Sequence, residues 1–290
     1  MIKLVVVTPG NFAPSGGPEA LHQLVSVANE IQYNSAAILY EPIEFISSSI
    51  EPYLKYNCPI IKEKDIPPNA IVVLPEIWPH LSNRFKNRSA LWWLSVDFFG
   101  TQGHSDLSNI DIHLTQSVYA KQHLKSIGID SFMLTDWIDG VYDRSLHKED
   151  MIAVNPAKGL DLIESFIAGN PSLNTIKIQG MTKNKVIDTL AKSKIYIDFG
   201  HHPGRDRMPR EASLLNAVVF VKEQGAARFS EDVAIDKWFK FSDISELKDK
   251  IPIVLNNYKY FISKQFEYKE WCKLNREEFK KEVKQLLDMV

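Results

Sequence analysis

Arginine, histidine and carboxylate side chains crowd one short stretch, His201-His202-Pro203-Gly204-Arg205-Asp206-Arg207-Met208-Pro209-Arg210-Glu211-Ala212. Guanidinium groups bind phosphate oxygens in pairs, and helix N-termini add unpaired N–H groups and partial positive charge. The stretch follows an apolar run, Ile195 to Phe199, that reads as a buried strand. It leads into a helix expected over Arg210 to Leu215, with Pro209 in the first turn, where no backbone donor is needed. In an open α/β sheet, ligands bind in the crevice beyond the carboxyl ends of the strands. The expected occupant is a phosphorylated or nucleotide-linked ligand. Arg205, Arg207 and Arg210 cannot all point the same way. One or two are expected to reach phosphates, and the others to pair with Asp206 or lie at the surface. Glu211, in the helix's first turn, is placed to accept hydrogen bonds from sugar hydroxyls.

Other strand ends carry companion groups. After the first strand comes Gly10-Asn11-Phe12-Ala13-Pro14-Ser15-Gly16-Gly17-Pro18-Glu19. Its paired glycines, Gly16 and Gly17, permit close backbone approach and positive φ. The spacing is not that of a dinucleotide fingerprint, which disfavours a dehydrogenase. Asn155-Pro156-Ala157-Lys158-Gly159 puts a lysine at a strand-to-helix turn, where it can meet a phosphate as a point charge. Lys222-Glu223-Gln224-Gly225-Ala226-Ala227 is another small-residue turn, and Gly225 and Ala226 are expected to face the ligand's phosphate or ribose. In Trp92-Trp93-Leu94-Ser95-Val96-Asp97, one tryptophan is expected to pack in the core. Asp97, at the strand end, is a candidate general base if partly desolvated. His201 is a second candidate for proton transfer, and His202 beside it for phosphate or hydroxyl contacts. Neither cysteines nor histidines show metal-ligand spacing, so no metal is expected, and no nucleophile elbow or Walker loop is present.

The elements that must position these groups alternate. Strand signals fall at 2–8, 36–40, 70–74, 90–96 and 111–115, with a helix over 19–31 and another opened by Ser117. After a polar stretch, 136–150, the alternation resumes: strands at 151–154, 175–179, 195–199 and 218–221, and helices at 160–167 and 183–192, the latter capped by Thr182. The tail over 245–287 is helical and carries both charge signs. This pattern predicts an α/β protein of two doubly wound domains facing a central cleft. The expected boundaries are an N-terminal Rossmann-like domain over 1–140, a second over 150–257 and a C-terminal helix over 258–290. A net charge of −2 across 290 residues argues against nucleic-acid binding through bulk charge. The Met1–Val7 run reads as a buried strand rather than a signal core, and no apolar run reaches a membrane span. Cys58 and Cys272, far apart, fit a reduced cytoplasmic setting.

Two βα halves, a glycine loop after the first strand, a Lys-Gly turn opening the second half and a strand-loop-helix ending Arg210-Glu211-Ala212 together resemble the GT-B glycosyltransferases. The closer likeness is to the retaining bacterial enzymes of polysaccharide, O-antigen and capsule assembly. The resemblance implies two Rossmann-like domains, the first serving the acceptor and the second the donor, and transfer of a sugar from an activated phosphate donor, without a metal, to a saccharide or lipid-linked acceptor. It also implies a cytoplasmic enzyme, with peripheral contact at the inner membrane face where the acceptor is lipid-linked. The family pattern is a pair of glutamates separated by seven residues. Glu211 is similar to the second, which holds the donor's ribose, whereas Pro203 stands where the first would fall. Lys158 matches the family's lysine for the donor diphosphate, but its usual arginine partner is absent, and Arg207 or Arg210 is the expected substitute. These departures leave two alternatives open: a ribosyltransferase using phosphoribosyl pyrophosphate, or a non-catalytic sugar-nucleotide binding protein.

Overall fold

The computed structural model describes residues 1–10, 15–41, 51, 53–140, 144 and 146–290. The chain separates into two compact units, one of residues 1–137 with 276–290 and one of residues 138–275.

The first unit is built on strands β1 (Leu4–Pro9), β2 (Ala36–Glu41), β3 (Ile71–Pro75), β4 (Ser89–Trp93), β5 (Ile112–Thr115) and β6 (Phe132–Met133), with helices α1 (Gly16–Ile31) and α2 (Val118–Ser126). The strands form one parallel sheet in the order β2-β1-β3-β4-β5-β6. A parallel sheet with both faces covered needs apolar residues at successive positions, and β1 shows why its sequence is a continuous aliphatic run. Leu4 and Val6 pack on one face with Leu21, Leu24 and Val25 of α1. Val5 and Val7 pack on the other with Ala120 and Leu124 of α2.

The same two-sided burial revises the expectation for the tryptophans. Both are fully buried, one on each face. Trp92 donates its indole N–H to the Leu134 carbonyl (2.9 Å), and Trp93 donates to His113 Nδ1 (3.1 Å). Both therefore satisfy their polar atom inside the core, which a buried indole requires.

The second unit carries β7 (Glu149–Val154), α3 (Leu160–Gly169), β8 (Asn174–Lys177), α4 (Lys183–Lys192), β9 (Ser193–Asp198), α5 (Arg207–Leu214), β10 (Val218–Lys222) and β11 (Lys240–Phe241), followed by α6 (Leu247–Asn256) and α7 (Tyr258–Lys264). Its parallel sheet has the order β11-β10-β9-β7-β8. The expected caps form: Ser117 accepts from Ala120 N (3.0 Å), and Thr182 from Lys185 N (3.4 Å). Helix α5 starts three residues before the expected Arg210, at Arg207, with Asp206 at its N-cap. Pro209 still falls in the first turn, where its missing N–H leaves no bond unmade.

Helix α8 (Phe266–Asp288) closes the chain. Tyr268 and Cys272 belong to the core of the second unit, and Phe279, Val283 and Leu286 to that of the first. Both cysteines are free, and burial pushes each thiol up to about 12, which keeps them protonated and inert. Among the described residues, no helix is long and apolar enough to cross a membrane.

Candidate functional site

In the second sheet the chain runs from β7 outward to β8, then returns to place β9 on the other side of β7. The loops leaving β7 and β9 therefore diverge, and that switch point is where doubly wound sheets bind ligands. The β7 loop is Asn155 to Gly159, and the β9 loop is Phe199 to Asp206. The two come into close contact, and glycines make this possible. Gly159, the N-cap of α3, has φ +70°, and a methyl there would sit 2.8 Å from the Phe199 carbonyl oxygen. A methyl at Gly200 would run into the Lys158 stem.

Across this contact Lys158 donates to both oxygens of Asp206, each at 2.7 Å. Behind Asp206 lies His202, fully buried. Its Nδ1 is 3.0 Å from Asp206 Oδ2 and its Nε2 3.8 Å from Asp198 Oδ1, as ion-pair contacts rather than aligned hydrogen bonds. Asp198, at the end of β9, is itself fixed. It accepts from the Tyr196 hydroxyl (2.9 Å), two residues back on the same strand face, and from Gly200 N (3.0 Å).

Charge follows from this packing. Burial pushes the His202 imidazole down, but the Asp198 and Asp206 carboxylates outweigh it and its pKa ends raised. Burial likewise opposes ionisation of Asp206, and His202 and Lys158 reverse it, so its pKa ends lowered. Tyr196, buried beside Asp198, is held protonated. One ligand atom each from Asp198, His202 and Asp206 lies within 4.8 Å of the others, a spacing that admits a metal ion. In this structure the Lys158 ammonium supplies the positive charge beside Asp206.

The turn after β10 locks the same histidine. Gly225 has φ +58°, and a methyl there would collide with the His202 carbonyl, which accepts from Ala226 N (2.8 Å). Gly225 and Ala226 thus hold the β9 loop through its backbone. His201 is half-buried beside Gly225.

The arginines divide their work. Arg210 is buried, and its guanidinium donates to the carbonyls of Arg205 (2.6 Å) and Asp206 (3.2 Å) and to Asn275 Oδ1 (3.5 Å). It ties the loop to its helix. Arg205 is also buried, with its guanidinium 4.5 Å from the centre of the Trp271 ring. Arg207 and Glu211 are half-buried one helical turn apart, at 3.9 Å.

The first sheet has its own switch point, between β1 and β3. Asn11 to Pro14 of the β1 loop lie outside the described residues. Gly16 and Gly17 are not in positive-φ conformations; they form the first turn of α1. A helix N-terminus needs no left-handed residue, so these glycines serve α1 rather than a loop. After β3 comes Glu76, which motif-based reasoning passed over because one glutamate after a proline carries no pattern. It is almost wholly buried and accepts from Leu94 N (3.3 Å). Burial raises its pKa to about 7, against backbone N–H groups that lower it. Thr8 Oγ1 and Ser95 Oγ, also buried at strand ends of this sheet, have no hydrogen-bond partner among the described residues. Asp97 is exposed, in a short 3-10 turn after β4.

No family model matches the chain, and no curated protein sequence does. Solved structures do match. Sucrose-phosphate synthase from Thermosynechococcus elongatus aligns at a TM-score of 0.71 with 10% identity, over 100% of this chain and 99% of that one. The trehalose 6-phosphate synthase of Burkholderia multivorans aligns at 0.62 with 9% identity, over 99% of each chain. T4 phage BGT, solved with its UDP-glucose substrate, aligns at 0.61 with 11% identity, over 99% of this chain and 100% of that one. The fold is that of the GT-B glycosyltransferases, with parallel sheets of six and five strands and a C-terminal helix.

Proposed function

We propose that the chain is a glycosyltransferase that moves a sugar from a nucleotide-sugar donor to a saccharide or lipid-linked acceptor, in the cytoplasm and without a metal in the transfer step. One observation carries this: Lys158, pinned by glycine contacts, sits with the arginine-bearing β9 loop at the switch point of a GT-B sheet. The likeness to a fold captured with UDP-glucose supports the donor class.

In the reaction, the bond from the anomeric carbon to the donor diphosphate breaks, and the acceptor oxygen bonds to that carbon. Negative charge grows on the departing diphosphate. Lys158, Arg207 and the N-terminus of α5 meet that charge, and preorganised donors of this kind are among the strongest catalytic devices. Glu211 holds the ribose hydroxyls. Arg205, Arg210, Gly225 and Ala226 serve by shaping the loop, and Gly16 and Gly17 by opening α1 towards the first switch point. The acceptor's proton passes to Asp97 or His201, or to the leaving phosphate where stereochemistry is retained. For a lipid-linked acceptor, the exposed Phe266 and Leu274 of α8 offer apolar contact with a membrane surface.

The test is donor-dependent transfer in EDTA, with Arg207→Ala and Glu211→Ala beside the parent. Both variants are expected to lose most activity while binding calorimetry shows weaker UDP binding. Normal turnover in both would sink the proposal. Pro203, where the family carries an acid, favours a second possibility: a phosphoribosyl donor or binding without turnover. Thermal stabilisation by phosphoribosyl pyrophosphate but by no nucleotide sugar would select the former.

A further inference from the structure

The Lys158–Asp206 pair raises a question that the donor-site assignment leaves open. A lysine meant for a phosphate is already bound, by both oxygens of a carboxylate that is itself anchored from behind. A free lysine ammonium on a surface turn is hydrated and mobile. This one has its stem laid across Gly200 and its ammonium held by Asp206. Asp206 sits at the N-cap of α5 without a capping hydrogen bond of its own, so its carboxylate faces Lys158 and His202 rather than the helix. A two-oxygen anion at the N-terminus of a helix, chelating a lysine at a switch point, has the chemistry of a bound phosphate.

We propose that Asp206 is a positioning and specificity residue of the donor site: an internal stand-in for the donor diphosphate that holds Lys158 at the strand ends and yields it to the incoming phosphate. The inference rests on the assignment of Lys158 to the donor. His202 and Asp198 make the exchange workable. When Lys158 turns to the ligand, Asp206 keeps the His202 ring beside it, 3.0 Å from Nδ1, with Asp198 on the ring's other side. The Tyr196 hydroxyl and Gly200 N hold Asp198, and Ala226 N holds the His202 carbonyl, so neither group needs to move. A ligand must carry enough negative charge to win Lys158 from a carboxylate, which favours diphosphates over uncharged or weakly charged sugars.

The experiment is a double-mutant cycle on the full chain, with UDP as the probe and calorimetry as the readout. Lys158→Ala is expected to weaken UDP binding about 10-fold or more, as loss of a charged phosphate contact does. Asp206→Asn keeps the size of the side chain but removes its charge. It is expected to tighten UDP binding by roughly 3- to 10-fold, the range for a partly buried ion pair. In Lys158→Ala/Asp206→Asn that gain should vanish. Asp206→Glu, which restores the anion, should return affinity towards that of the parent. A purely structural aspartate would lower affinity when replaced and would show no dependence on Lys158. Tighter binding in Asp206→Asn that persists without Lys158, or weaker binding in Asp206→Asn, overturns the inference. Loss of any Lys158→Ala effect instead overturns the donor-site assignment, so the two failures are distinguishable.

Discussion

The two sheets share a plan and differ at their switch points. In the second unit, the loops after β7 and β9 bring cations and anions into contact: Lys158 with Asp206, and His202 with Asp206 and Asp198. In the first unit, burial works against charge at Glu76, after β3, and at His22, in α1. Glu76 is raised to about 7. His22 is lowered by burial to about 4, with Nδ1 donating to the Pro18 carbonyl (2.7 Å) and Nε2 accepting from the Tyr40 hydroxyl (2.8 Å). The same parallel topology thus supports a charged edge or a neutral one, according to which loop residues find counter-ions. A diphosphate needs the first kind. A neutral hydroxylated acceptor is compatible with the second.

The contrast can be broken most sharply by turnover. Lys158→Ala and Arg207→Ala, on the charged edge, are expected to lower donor-dependent transfer by about 10²–10³-fold, the range for losing one preorganised donor. Glu76→Gln, on the neutral edge, is expected to leave UDP affinity within about 2-fold, because it touches no phosphate group. Equal losses of UDP affinity from the two edges would erase the distinction.

The next largest effect concerns glycines. Gly225→Ala puts a methyl at φ +58° against the His202 carbonyl. We expect a loss of about 2–4 kcal/mol, seen as a lower thermal midpoint together with weaker UDP binding.

A pH experiment separates the edges by the window in which stability falls. Unfolded Glu76 loses its proton near its ordinary value of 4.5, whereas the folded group keeps it to about 7. The unfolded state therefore holds fewer protons between these values, and stability falls as pH rises through that window. The penalty is on the order of 3 kcal/mol once the folded group is ionised. Glu76→Gln should flatten this slope and raise the urea midpoint at pH 8. His202 runs through a different window, because its folded pKa is raised. Its contribution is present below the unfolded value near 6.5 and is lost as pH passes the higher folded one. His202→Gln should therefore cost most stability below about pH 6.5 and flatten the fall above it, and an identical pH slope in both variants would contradict these charge states.

The smallest effect is Gly17→Ala. Gly17 lies in the first turn of α1, and an added methyl would meet only Leu94 Cδ1, at 3.8 Å. We expect a gain of about 0.5–1 kcal/mol or no change. A loss comparable to that of Gly225→Ala would mean that the first glycine loop is as constrained as the second.

Much of this molecule was legible in one dimension. The apolar runs at 4–7 and 195–197 announce strands buried on both faces, and Ser117 and Thr182 mark helix starts by their side-chain chemistry. The crowding of charge between β9 and α5 pointed to a loop that lies at the switch point of the second sheet, because a loop's position in a βα unit follows from the order of elements. The directions of the arginines were not legible. Arg210 is spent on the carbonyls of its own loop and Arg205 lies over Trp271, and both outcomes depend on how α5 and α8 pack. Glu76 was invisible for the same reason: burial raises its pKa, against backbone N–H groups that include Leu94 and Ser95 just beyond β4.

Local order along the chain thus determined the alternating elements, the two sheets and the strand end that carries the candidate site. Hydrogen-bonding periodicity and capping act over a few residues and leave their mark in the sequence. The pairing of Lys158 with Asp206, 48 residues away, was settled by the order in which strands join the sheet. So were the burial of His202 between two carboxylates and the raised pKa of Glu76. Counter-ions and desolvation act through space, and it is the sheet's switch point that brings those groups together.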